Sequence, residues 1–352
     1  MALTAEWRDR IDAWRKTLKT LFYRPLGSIE LSGRVVKDQL DPSQALAGEF
    51  QPMPVGTTWG AKWEYGWFRG RIALPKEAAG RRIVMELRVT TVEAVTYVNG
   101  EMIESRRGTF PHQTLTHKAK GGETFDLLIE AYAWHGPTPC HAGPLPPGTR
   151  SVPEAAPAQQ TIGDSTFGVW EEEIFQLYMD VETLWQIRES HDSDSLRVAE
   201  IDKGLMDFTR IADFELPHER MIETVRAARR RLKPLLECRN GSTAQEYFCF
   251  GHAHLDVAWL WPLVETERKA ARTLANQLAL IEEYPEHRFL HSQPHLFRMV
   301  KDKYPALYER VKKAVRNGNI IADGGMWVES DTNITSGESL IRQFVHGRRF
   351  FR

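Results

Sequence analysis

Residues 247–263 read YFCFGHAHLDVAWLWPL, and their pattern sets the architecture of the whole C-terminal part of the chain. Tyr247–Gly251 is a short apolar run, the signature of a buried strand, and it ends in His252-Ala253-His254-Leu255-Asp256. Working outward, a long helix is expected from about Trp261 to Glu283, stopped by Tyr284-Pro285. A second short strand spans Arg288–Ser292, a helix runs from about Pro294 to Arg316, and Asn317-Gly318 turns the chain into a third strand at Ile320–Ala322. A further helix begins near Ser336 and reaches Arg348. This β-α-β-α-β order predicts parallel strands joined by right-handed crossovers, the first three units of a (β/α) barrel. Three strands cannot close a barrel, so the unit at 244–352 is expected to be truncated.

Upstream the period changes. Thr4 can cap a helix in which Trp7, Ile11, Trp14, Leu18, Leu21 and Phe22 form one apolar stripe, and Pro25 and Gly27 stop it. From Leu31 to Trp134 the chain alternates in short β-type runs: Trp67–Leu74, Arg82–Val89, Val92–Val98 and Thr124–Tyr132. Asn99-Gly100 between two apolar runs is a strong hairpin signal. Strands at this spacing predict an antiparallel β-sandwich of jelly-roll type. Pro137–Pro157 is rich in Pro and Gly and reads as a linker, after which helical periodicity returns at Ile174–Trp185 and Glu219–Cys238. Arg226, Arg229, Arg230, Arg231 and Lys233 on that last helix read as a solvated basic face. The expected divisions are an N-terminal helix at 1–28, a β-sandwich at 29–165, a helical connector at 166–243 and the βα unit at 244–352.

Length and composition limit what such a chain can be. At 352 residues it exceeds the size at which one hydrophobic core stops growing. Its 46 basic and 47 acidic residues leave a net charge of -1, so nothing in the balance asks for nucleic acid or an acidic membrane. Three cysteines without framework spacing suit a reducing compartment, and neither a signal peptide nor a membrane span is apparent, which predicts a cytoplasmic protein. Phosphate loops, C-x-x-C pairs, G-x-S-x-G elbows and H-E-x-x-H helices are missing from the sequence. Eleven tryptophans are many, and aromatic faces suit sugars and other apolar ligands.

Chemistry-bearing residues gather at the carboxyl ends of the expected strands, where folds of this class place their sites. His252, His254 and Asp256 stand at i, i+2 and i+4, and an imidazole beside a carboxylate can bind a divalent metal. Hydrogen-bonded polar residues at a strand end would give the same pattern. After the third strand comes GGMWVESDTN, residues 324–333, which delivers Glu329 and Asp331 on one side if it stays extended. Asp331 could complete a metal site or attack an electrophilic carbon; Asp331-Thr332-Asn333 could equally be the cap region of the helix after Ser336. Trp259 and Trp327 suit either a sugar platform or the core. His291 and Gln293 suit either a substrate contact or a satisfied core position.

Taken together, GHAHLDVAWLWPL (251–263), HSQPHLF (291–297) and GGMWVESDTNITSGESLIRQ (324–343) resemble the family 38 glycoside hydrolases, and most of all the cytosolic and bacterial branch of the α-mannosidases. The β domain, with its WGAKWEYGWFRG and TYVNG stretches, is similar to the N-terminal β-sandwich of that branch. The resemblance implies that His254, Asp256 and Asp331 ligate Zn2+, which Co2+ or Mn2+ could replace, and that Asp331 is also the nucleophile of a retaining mechanism. It implies that Trp259 lines the sugar subsite and that the substrate is a mannose-containing oligosaccharide. The general acid and a further metal-binding histidine of the family lie beyond the third strand and are absent from this chain, so the 352 residues alone are expected to be inactive. The family's large intracellular members commonly assemble, so a homo-oligomer is an open expectation for the full-length protein. Two other functions fit the residues: a carbohydrate-binding fragment without activity, and a metal-dependent deacetylase-like hydrolase in which Asp331 acts as base.

Overall fold

A computed structural model of the protein describes residues 3–91, 93–106, 112–137, 144–149 and 154–352. Much of the Pro137–Pro157 linker, with Cys140, and Val92 at the start of one expected strand lie outside the described residues.

The β region is a two-sheet sandwich. A six-stranded sheet is ordered 51–52, 32–36, 65–73, 124–132, 93–98, 101–106, and a four-stranded sheet is ordered 23–28, 166–170, 83–86, 112–116. All their pairings are antiparallel. The four-stranded sheet pairs Tyr23–Ser28 with Thr166–Trp170, so it draws strands from both sides of residues 29–165. Between the sheets Phe68, Ile72, Leu127 and Ile129 meet Ile83, Met85, Phe167 and Val169. Asn99 and Gly100 both take positive φ, 51° and 84°, the signature of a type I′ turn, and Val98 faces Glu101 across the hairpin they close.

Thr124–Tyr132 and Glu93–Val98 read as almost unbroken apolar runs because both faces of the six-stranded sheet are covered. Leu127 and Ile129 point into the sandwich, whereas Trp67, Val95, Tyr97 and Leu128 point outward into a second core shared with the C-terminal helices.

The first helix, Ala5–Leu21, is capped by Thr4, whose hydroxyl accepts the Trp7 amide at 3.5 Å. It packs with Glu172–Ser190, Leu196–Ile211 and His218–Leu236 around Ile11, Leu18, Leu177, Val181, Leu205 and Val225. The basic face of the last of these helices does not simply meet water. Arg226 reaches Glu173 at 3.2 Å, Arg229 reaches Asp180 at 3.0 Å and Arg231 reaches Asp207 at 2.9 Å, which ties three helices together.

The C-terminal unit is β-α-β-α-β as expected. Gly251–His252, Phe289–His291 and Ile320–Ala322 form one parallel sheet in chain order. Two expectations fail here. The run before Gly251 is not a buried strand: Tyr247, Phe248 and Phe250 are 79%, 82% and 55% exposed, because this edge pairs on one side only among the described residues. The helix expected over Pro294–Arg316 is two, Pro294–Lys303 and Pro305–Arg316. Pro305 drives Tyr304 out of the helical region, to φ −131° and ψ 60°, and then occupies the first position of the next helix.

Where the three regions meet, a cavity of about 380 Å3 is lined by Arg82, Glu104, Trp170 and Glu283 among others. Arg82 is spent on Glu283, at 2.9 and 2.8 Å, and on Glu172 at 3.0 Å. Burial, reinforced by the Glu283 charge and opposed by Arg82, pushes the Glu104 carboxyl up from 4.5 to about 7. The folded chain therefore keeps a proton that the unfolded chain releases. The stability this gives is complete below about pH 4.5 and falls as pH rises toward 7 and beyond. Glu104→Gln is expected to match the parent near pH 4.5 and to exceed it by about 1–3 kcal/mol at pH 8. Urea titrations across that range check this, and a difference independent of pH would refute it.

Candidate active site

The carboxyl ends of the parallel strands carry the site, and two buried groups hold its loops. Thr266, fully buried at the start of the helix Leu263–Glu283, accepts the Ala258 amide at 3.0 Å and the Trp261 indole N–H at 3.1 Å. Ala258 has φ +62°, uncommon for a residue with a Cβ, so this staple holds a strained loop between Asp256 and Trp261. Gln293, also buried, donates to the Leu255 carbonyl at 2.9 Å and accepts the Glu329 amide at 3.1 Å, locking the first and third strand ends together. Gly324 and Gly325, at φ 88° and 81°, make the turn that begins the third loop. Gly347 of the last helix lies so close beneath that a Cβ there would stand 1.8 Å from the Gly325 oxygen. The Gln343 carbonyl and side chain then accept the Trp327 and Val328 amides at 3.0 and 2.9 Å.

On this scaffold His254 and Asp256 are adjacent, with Nε2 3.3 Å from Oδ1, and both are about half exposed. The His254 Nδ1 meets the Glu329 carboxylate, whose other oxygen accepts the Ser292 hydroxyl. The His252 Nδ1–H donates to the Leu290 carbonyl (3.1 Å), and the ring stands 4.0 Å from Glu329. The hydrogen bond to Glu329, helped by that to Asp256, raises the His254 pKa above 6.5 against the pull of burial. Burial pushes Glu329 up, but the bonds from Ser292 and His254 win and hold it below the usual carboxylate value.

Asp331 lies elsewhere. Its carboxylate is exposed and accepts the amides of Asn333 at 2.7 Å and Ile334 at 3.3 Å, inside its own turn. Ser336, not Asp331, caps the following helix. Among the described residues no three His, Cys, Asp or Glu side chains converge to hold an ion. His254 and Asp256 are thus neighbours, and the Asp331 carboxylate is bonded within its own turn.

The aromatic candidates separate cleanly. Trp259 is 64% exposed beside Trp261, whereas Trp327 is half-buried against His295, His346 and Phe350. His291 is fully buried between Phe289 and Phe297, neither ring nitrogen has a hydrogen-bond partner among the described residues, and burial pushes its pKa down to about 4. It is a neutral core residue. Glu329 is the group that sequence reasoning placed only loosely. The G-G-x-x-x-E spacing located it at the strand end, but its capture by His254 depends on Gln293 and Gln343, which nothing local in the sequence links to it.

Residues 244–352 match the glycosyl hydrolases family 38 N-terminal domain. The C-terminal part of the chain is similar to that domain. Residues 27–137 match the α-mannosidase jelly roll domain. It is 28% identical over 337 residues to Alpha-mannosidase G of Dictyostelium discoideum, covering 91% of this chain and 30% of that protein. It is 28% identical over 360 residues to Alpha-mannosidase 2C1 of Homo sapiens, covering 98% and 34%. To the Alpha-mannosidase of Saccharomyces cerevisiae it is 44% identical over 102 residues, 29% of this chain and 9% of that one. The chain spans about a third of the length of the first two of these relatives. Among the described residues no helix is long and apolar enough to cross a membrane.

Proposed function

We propose that the protein carrying this chain is a retaining α-mannosidase that removes terminal α-linked mannose from oligosaccharides, and that residues 244–352 begin its (β/α) barrel. The observation that carries this reading is the His254–Asp256 pair at the carboxyl end of a parallel strand, beside the exposed face of Trp259. Asp331 is the proposed nucleophile. Its carboxylate bonds to the anomeric carbon as the bond to the leaving oxygen breaks, an acid elsewhere in the protein protonates that oxygen, and water then cleaves the ester.

A Zn2+ ion on His254, Asp256 and Asp331 is proposed with it, on the strength of the family resemblance and of the His254–Asp256 pair. The exposed free thiols of Cys238 and Cys249 support a reducing, cytoplasmic setting. The test is proton NMR of an activated aryl α-mannoside mixed with the intact protein. α-Mannose as the first sugar formed is the expected result; β-mannose first, or no hydrolysis, refutes the reading.

A further inference from the structure

The cleft that reaches His254 and Asp256 has two walls, and one of them belongs to the β-sandwich. It encloses about 480 Å3, within the ~300–1,000 Å3 of ligand clefts, which favour domain interfaces. The βα unit supplies His254, Asp256, Trp259 and Trp261, and the sandwich supplies Trp134 with Glu93 and Ser105.

Trp134 is held in an unusual way. Its backbone sits at φ +90°, a region bulky residues rarely enter, and such strain persists where the surroundings enforce it and gathers at functional sites. The enforcement is visible: the Trp134 carbonyl accepts the Trp63 amide at 3.0 Å and the Gln159 side chain at 3.4 Å. The buried His135 ring lies 4.0 Å from the Trp134 ring. The indole is left half-buried on the cleft.

The wall between the indoles is polar but balanced. Glu93 is neutralised by Lys269 and by Arg272, and the Lys269 ammonium also sits 4.2 Å from the Trp261 ring centre. Among the described residues a charged ligand finds no free counter-ion on this wall, whereas a neutral pyranose can lay its apolar face on an indole and turn its hydroxyls to the ion pair.

We propose that the β-sandwich supplies the leaving-group side of the sugar site, with Trp134 as the platform for the second mannose of an α-linked chain. This rests on the mannosidase reading of the same cleft, and it makes Trp134 a specificity residue that acts from outside the βα unit.

The test is calorimetric titration of the full chain with methyl α-mannoside and with α-linked mannobiose, for the parent, Trp134→Ala, Trp134→Phe and Trp63→Ala. The parent is expected to bind the disaccharide more tightly. Trp134→Ala should lose about three- to tenfold of that affinity with monosaccharide binding unchanged, while Trp134→Phe retains most of it. Trp63→Ala, a neighbour in the same aromatic cluster that does not line the cleft, should bind as the parent does.

Equal affinity of the parent for both sugars overturns the subsite and leaves the mannosidase reading intact. So does unchanged disaccharide binding in Trp134→Ala. An equal loss for both sugars, repeated in Trp63→Ala, shows a merely structural tryptophan and also overturns it. Failure of both sugars to bind the parent overturns both readings.

Discussion

Arg272→Ala is expected to lower the stability of the interface between the β-sandwich and the C-terminal unit by about 3–5 kcal/mol, the cost of stripping one partner from a buried ion network. The helix Leu263–Glu283 turns Glu265, Arg268, Lys269 and Arg272 inward, each no more than 8% exposed, against Glu93 and Glu130 of the six-stranded sheet. Arg272 pairs with both Glu93 and Glu265, Lys269 with Glu93, and Arg268 with Glu130. Three cations thus face three carboxylates. Tyr65 adds a hydrogen bond to Glu265 at 2.7 Å, and Gln39 in turn donates to Tyr65 at 2.7 Å.

Removing Arg272 leaves Glu265, at 0% exposure, with no cation, and burial already pushes the neighbouring Glu130 up. Replacing both members, Arg272→Met with Glu265→Met, should recover most of the loss, because an apolar pair of similar volume costs little where a lone charge costs much. Urea unfolding of the two variants and the parent reads the difference. Equal destabilisation by the single and the double variant would contradict this account of the interface.

The second large effect concerns activity. Asp331→Asn is expected to reduce mannoside hydrolysis by the intact protein by at least about a thousandfold, as loss of a covalent nucleophile does. Folding should be little affected, since Asp331 is exposed and the amide oxygen of Asn can still accept the Asn333 and Ile334 amides. Glu329→Gln should behave differently. It removes the charge beside His254 and so lowers the His254 pKa toward its ordinary 6.5. A pH profile separates the roles: Asp331→Asn should lower the rate at every pH, and Glu329→Gln should move the profile.

Much of this was legible in the sequence because local chemistry decided it. Asn99-Gly100 can enter the left-handed region at little cost, so it marked the hairpin, and Thr4 marked a helix start through its side-chain cap. Ile320–Ala322 is found as a strand over the expected residues. What escaped was decided by distant partners. The helix Leu196–Ile211 was not anticipated, and its inward face includes Asp202, buried only because Arg188 of the preceding helix bonds to it at 2.8 Å.

Tyr247–Phe250 has the composition of a buried strand, but burial needs a neighbour that the described residues do not supply. At the site, the alternation that placed His254 and Asp256 together is local and held. The meeting of His254 with Glu329 spans 75 residues, and the approach of Trp134 to Trp261 joins two domains, so periodicity could reveal neither.

The assignment of Asp331 as nucleophile is where the mannosidase account is most exposed, because Glu329 is the carboxylate that touches His254. The measurement that decides it is peptide mapping by mass spectrometry after the intact protein is trapped with a fluorinated mannosyl donor, which forms its ester quickly and loses it slowly. The account predicts one added mannosyl mass on the tryptic peptide of residues 317–342, with fragmentation placing it on Asp331. A label on Glu329, or hydrolysis of mannosides with no covalent label at all, would contradict it.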